Sequence, residues 1–197
     1  MKNRDEFCST SMIESVKEKY CYIISEDGSR IAFENSLERL LKRKLKKGQQ
    51  VIILCIGSDY IVGDCLGPLV GHKLNLRNYR LIVYGDFDNT VHSVNLVEIV
   101  KDINEKYTNP FIIAIDSALC YDSGQIGNVR LRDGGLLPGI AFKKELPYVG
   151  HISITGIINS KFSFENFIQT TRMSLVMRLA DFIESGLLNT LIKMNLV

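Results

Sequence analysis

The sequence predicts an α/β protein, a three-layer fold in which a mostly parallel sheet carries helices on both faces. Three observations lead there. The runs at 51–56, 80–84 and 111–115 are short and almost continuously apolar, as strands buried on both faces are. The segments between them repeat their apolar residues at helical spacing. Strand, helix, strand, helix, strand in that order calls for parallel pairing through right-handed crossovers.

The elements follow in chain order. Residues 1–34 read as an N-terminal extension, and 35–197 as a single α/β domain. Within the extension, 20–25 and 30–33 flank Glu26-Asp27-Gly28-Ser29, a turn-rich quartet that signals a hairpin. From Asn35 to about Lys47, residues Leu37, Leu40, Leu41 and Leu45 share a helical face, with Asn35 or Ser36 to cap its start and Gly48 to stop it. The basic cluster at 42–47 suits a solvated helix C-terminus. The strand at 51–56 leads into a helix from Asp64 to about Leu76, apolar at Leu66, Leu69, Val70 and Leu74. The strand at 80–84 leads into a helix from His92 to about Tyr107, carrying Val94, Val97, Ile99, Val100 and Ile103. The strand at 110–116 ends on Asp116, and all three strands are expected inside the sheet. Beyond it, alternation at 126–132 reads as an outer strand, 134–139 as a tight loop and 152–158 as a further strand. A long helix starts near Ser163, and Phe162, Phe164 and Phe167 read as core or subunit contact.

Composition narrows the function. A chain of 197 residues with a net charge of +2 suits one domain and argues against a dedicated nucleic-acid binder. Five cysteines, an odd number without paired spacing or a C-x-x-C motif, give neither a disulfide framework nor a zinc site. The charged N-terminus does not read as a signal peptide, and no apolar run would cross a bilayer. The expectation is a protein of a reducing cytoplasm, with no cofactor or metal and no membrane or nucleic-acid partner. Assembly as a homo-oligomer stays open.

The chemistry concentrates at one corner, IGSDYIVGDCLGP at 56–68. In open α/β sheets, ligands bind beyond the C-terminal ends of the strands. Asp59 and Asp64 lie in the loop after the first core strand, and Asp116 ends the third. Asp64 reads either as a helix N-cap or as one of two carboxylates that share a site with Asp116. Two adjacent carboxylates cannot both ionise cheaply, so one keeps a proton near neutral pH. One then activates water while the other protonates or polarises a carbonyl. Gly57 and Gly63 allow the loop positive φ. The string lacks the Gly-Lys-Ser/Thr of a phosphate loop and the spacing of a dinucleotide fingerprint. No G-x-S-x-G nucleophile elbow occurs in the chain.

Four strings go further: GDCLGPLVG (63–71), PFIIAIDSALC (110–120), LPGIAFKKELPYVGHISITGIIN (137–159) and QTTRMSLVMRLADFI (169–183). They resemble the YyaC family of sporulation proteins over residues 36–186. That family in turn looks like a relative of the spore germination protease, whose two aspartates act as an atypical aspartic peptidase pair. Asp64 of Asp64-Cys65-Leu66-Gly67-Pro68 and Asp116 of Ala114-Ile115-Asp116-Ser117 match that pair. The resemblance implies a phosphorylase/hydrolase-like fold, shared with hydrogenase maturation peptidases. It also implies hydrolysis of peptide bonds in a spore protein, in the cytoplasm of a sporulating cell, the forespore or the spore core. Cys65 stands where the maturation peptidases have a nickel-binding Glu, so nickel recognition does not carry over. The chain is also shorter than a germination protease. A non-catalytic sporulation or binding protein with the same fold is the alternative.

Asp59, Gly63, His92, Gly139 and His151 complete the candidate site as substrate-binding residues. His92 follows a strand by the loop 85–91 and can polarise a carbonyl, or simply bond locally at a helix start. His151 follows Gly150 near the last strand. The loop at 134–139 can hold an extended peptide through its N–H groups or serve as a turn. Cys65, beside the pair, raises a thiol nucleophile as a further reading.

Overall fold

The structure, a computed structural model, describes residues 18–77, 79–138, 148–161 and 171–197. Its sheet has six strands: β1 (Lys19–Ile23), β2 (Val51–Cys55), β3 (Ile82–Tyr84), β4 (Phe111–Cys120), β5 (Asn128–Asp133) and β6 (Ile152–Ser160), in the order β1-β5-β6-β4-β2-β3. The run β6-β4-β2-β3 is parallel, and β5 and β1 add antiparallel strands at one side. The described helices are α1 (Ser29–Lys44), α2 (Leu66–Asn75), α3 (Leu96–Lys106) and α4 (Met173–Lys193).

Strand alternation divides the core into two layers. Ile53, Cys55, Phe111, Ile113 and Ile115 pack under α1, α2 and α4, against Leu37, Leu66, Val70, Leu179 and Ile183. Ile52, Leu54, Ile112 and Ala114 face the other way, onto Leu96 and Ile103 of α3. The three-layer α/β reading holds, with the sheet mixed in direction.

Several elements differ from expectation. The hairpin at 20–33 does not form: β1 pairs with β5, and Gly28, at φ 77°, turns the chain straight into α1. Phe33 is fully buried and stands one helical turn before Leu37. The apolar helical stripe therefore begins earlier than its leucines show, and the division at residue 34/35 falls inside α1. The strand at 126–132 is not the outer one, because β1 covers it. The strand at 80–84 is not interior: β3 pairs only with β2 and closes the sheet. β4 runs on past Asp116 to Cys120, because β6 accompanies it to Ser160 with a bulge at Ala118/Leu119. Phe162, Phe164 and Phe167 lie outside the described residues.

A buried charge ties the helical layer together. The Glu184 side chain on α4 is 2% exposed and accepts from Arg77 Nε at 2.7 Å and Arg77 NH2 at 3.3 Å. A carboxylate taken from water is tolerable only with such a partner. Arg77→Ala should therefore lower the urea midpoint clearly. Lys101→Ala, which breaks the exposed Lys101–Glu105 pair, should leave it almost unchanged.

Candidate active site

The path of the chain opens a crevice. The crossover from β2 to β3 carries α2 over one face, and the crossover from β3 back to β4 carries α3 over the other. The connections diverge between β2 and β4, and the gap at their C-terminal ends is where open α/β sheets bind ligands. Asp116 stands at that gap. Cys55 is the last β2 residue in register with β4, opposite Ile115, so Asp116 is paired only with Thr155 of β6.

The loop after β2 brings Asp64 to the same place. Its backbone N–H donates to the Ile61 carbonyl at 2.9 Å and closes a 3₁₀ turn over Val62–Asp64. Its carbonyl accepts from the Ser58 N–H at 3.1 Å, which shuts the loop into a compact ring. Glycines set the depth of this packing. A Cβ on Gly67 would collide with the Ile56 carbonyl, and one on Gly85 (φ 90°) with the Cys55 carbonyl. Gly57, at φ 146°, meets the Asp64 carbonyl in the same way. Gly63 is buried in the 3₁₀ turn without positive φ, so the sequence reading of that glycine is corrected.

The two carboxyls are electrostatically coupled. Burial pushes Asp64 up to about 6, against a Ser58 backbone hydrogen bond and the charge of His92, which both pull it down. Burial pushes Asp116 well above the carboxylate range, and the Asp64 charge pushes it further, against the Ser117 N–H that donates to Asp116 Oδ1 at 2.7 Å. Asp64 is therefore mainly ionised at neutral pH, while Asp116 is pushed well above the carboxylate range and its charged form is disfavoured beside it. The N-cap reading fails: Cys65 occupies the cap of α2, without a side-chain cap bond. The Cys65 thiol is buried and raised by that burial, then by Asp59 and Asp64, the opposite of an activated nucleophile.

The remaining candidates divide. His92 joins the site through its charge on Asp64, while its Nδ1 accepts the Val94 N–H at 3.3 Å. Asp59 is exposed at the rim, near Cys65. His151 does not join. Its Nδ1 accepts the Ile112 N–H at 3.0 Å and its ring stacks on Phe111 at 4.9 Å. That is the N-terminal edge of β4, about 13 Å back along the strand from Asp116. Strand pairing put His151 there, and proximity in sequence to β6 could not reveal which end it marks. The loop after β5 leaves from the same far edge, where Asp133 pairs with Ile152 and Leu136 bridges to Val149. The stretch 134–138 therefore lies at the edge away from Asp116, and Gly139 lies outside the described residues. Thr155, beside Asp116, was missed, because only the β4–β6 register brings it there.

Among the described residues no three His, Cys, Asp or Glu side chains converge as a metal site would require. A cleft of about 350 Å³ between the start of α4 and the end of β6, lined by Ile126, Ile158, Arg172 and Arg178, contains neither aspartate.

Both aspartates hold their protons more tightly folded than unfolded. Their contribution to stability is full below the unfolded value and is lost as pH climbs through the folded one. Asp64→Asn should therefore raise stability at pH 7.5 by up to about 3 kcal/mol and change it little at pH 4. Asp116→Asn should act in the same direction. Thermal melts at the two pH values check this; a loss at pH 7.5 would mean that the carboxylates hold the loop together.

Comparison with known proteins agrees with the family resemblance of the sequence. Residues 25–186 match the family described as Protein of unknown function (DUF1256). The chain is 39% identical over 160 residues to the Bacillus subtilis (strain 168) protein described as Uncharacterized protein YyaC, covering 79% of this chain and 78% of that one. A solved structure, the [NiFe] hydrogenase maturation protease HycI from Thermococcus kodakarensis KOD1, is similar with a TM-score of 0.46 and 18% identity, over 78% of this chain and 99% of that one. By the span of the family match and the identity to YyaC, this chain belongs to the DUF1256 family.

Proposed function

We propose that this protein is an endopeptidase that hydrolyses a peptide bond of a spore protein with the pair Asp64 and Asp116. The observation that supports the reading is the split between the two half-buried carboxyls at one sheet edge: one acid near 6, the other pushed well above the carboxylate range beside it. A base and an acid present together at neutral pH are what addition of water to an amide needs.

The steps follow from these states. Asp64 takes a proton from water as its oxygen attacks the scissile carbonyl carbon. Asp116 donates a hydrogen bond to the carbonyl oxygen, where negative charge develops. In the tetrahedral intermediate, the proton on Asp64 passes to the amide nitrogen, the C–N bond breaks and the amine leaves. Asp116 regains its hydrogen bond, and Asp64 is again ionised. A positive charge on His92 favours the ionised form of Asp64. The place of action on this reading is the cytoplasm of a sporulating cell, the forespore or the spore core.

The test is incubation of the pure protein with spore-core proteins. Cleavage should rise from acid pH through about 6, as Asp64 ionises, and decline where Asp116 loses its proton. Asp64→Asn and Asp116→Asn should each lower the rate by about a hundredfold or more, while Cys65→Ser and chelators leave it intact. Cleavage by both aspartate variants at the parent rate overturns the mechanism. No cleavage by the parent at any pH favours the non-catalytic alternative, a sporulation or binding protein that retains the cleft.

A further inference from the structure

The strand register carries the Asp116 face of the sheet well beyond the pair. Asp116 on β4 stands opposite Thr155 on β6, Thr155 opposite Arg130 on β5, and Arg130 opposite Cys21 on β1. One rung back, Ala114, Ser153, Arg132 and Lys19 form the parallel row. Residues directly opposite in register project to the same face. Val129 and Leu131 point the other way, into the core under the helices. Arg130 and Arg132 therefore share the face that holds Asp116, two strand spacings away, about 10 Å at the backbone.

Among the described residues Arg130, Arg132 and Lys19 have no ion-pair partner. Arg130 donates to a neutral acceptor, Gln125 Oε1. Arg132 Nε is buried without a hydrogen-bond partner among the described residues, a vacancy that folded proteins seldom leave. Lys19 faces Arg132 directly, and like charges so placed repel. Burial lowers the Lys19 pKa, and Arg130 and Arg132 lower it further.

We infer that Arg130 and Arg132 form a subsite for the carboxylate of an acidic side chain in a peptide whose scissile bond lies at Asp116. The inference rests on the peptidase reading of that cleft. A guanidinium presents N–H donors in a planar fork that matches a carboxylate. An extended peptide advances about 3.3 Å per residue, so the acidic residue falls about three positions from the bond. The cations occupy two neighbouring rungs, which suits a single carboxylate better than the spaced track that a nucleic-acid backbone needs.

The test uses binding, so that it does not depend on turnover. Fluorescent ten-residue peptide libraries with one fixed glutamate, or glutamine in its place, both with amidated C-termini, are titrated against the parent, Asp116→Asn, Arg130→Gln/Arg132→Gln and Arg172→Gln. The last makes the same kind of charge change on α4. Melting curves confirm folding, and single Arg130→Lys and Arg132→Lys changes replace the double variant if it does not fold. The glutamate library should bind the parent and Asp116→Asn at least about tenfold more tightly than the glutamine library. That preference should vanish in the double variant, or weaken in the lysine variants, and persist in Arg172→Gln. Equal binding of the two libraries to the parent, or a preference that survives loss of both arginines, overturns the inference. So does a fluorescent single-stranded oligonucleotide that outcompetes the glutamate library through the same arginines. A free C-terminal carboxylate that restores tight binding of the glutamine library, through the same arginines, overturns the side-chain assignment in favour of a chain terminus. A glutamate preference without any cleavage leaves the subsite standing and removes the peptidase reading alone.

Discussion

Backbone touching backbone at the end of β2 is the contact on which the rest of the site depends. Gly67 lies against the Ile56 carbonyl, Gly85 against that of Cys55, and Gly71 against that of Gly85. None of these places has room for a methyl group. The start of α2 and the loop after β3 therefore lie flush on the strand end, and the ring closed by Ser58 and Asp64 is pressed down beside β4. Were these elements held apart by side chains, Asp64 would reach solvent and lose the burial that sets its proton affinity.

Packing of that kind has a thermodynamic side. Each buried carboxyl opposes folding when ionised, and the fold offsets this with two continuous apolar layers. The contrast with Glu184 is informative. That carboxylate is more deeply buried than either aspartate, but a guanidinium meets it, and it serves cohesion between helices. Among the described residues, Asp64 and Asp116 form no ion pair. Beyond burial itself, Asp64 answers to the Ser58 N–H and the His92 imidazole, and Asp116 to the Asp64 charge and the Ser117 N–H. Unneutralised acids in a crevice are a poor device for stability and a suitable one for proton transfer.

Apolar continuity at 51–56 and 111–115 made the parallel centre legible, because only strands covered on both faces can be so uniformly apolar. That Asp64 follows β2 and Asp116 lies on the adjacent β4 was legible from the strand pattern, together with the family resemblance of their strings. Other features were hidden for definite reasons. The segment at 30–33 is too short for its period to separate strand from helix, and Phe33 reveals its helical phase only against Leu37. The edge position of β3 depends on which side of β2 the next crossover returns to. His151 looked close to the pair along the chain and lies at the opposite end of the strands, while Thr155 and Arg130 looked remote and share a rung with Asp116. Register across a sheet is a long-range property, and single-sequence patterns are blind to it.

β1 contributes little to the helical layers and nothing to the crevice, yet it governs colloidal behaviour. It occupies one margin of the sheet, opposite the three-residue β3. Its Tyr22 packs edge-on against Phe33 of α1 at 5.5 Å, which pins the strand to the body. Without it, the six residues of β5 would present a bare ladder of N–H and C=O groups backed by Val129 and Leu131. Such a margin is a template for strand addition between molecules. The segment that reads in sequence as an N-terminal extension thus covers an edge open to sheet-to-sheet polymerisation, and Lys19, at its exposed tip, adds a charge where a flat edge would otherwise invite a neighbour.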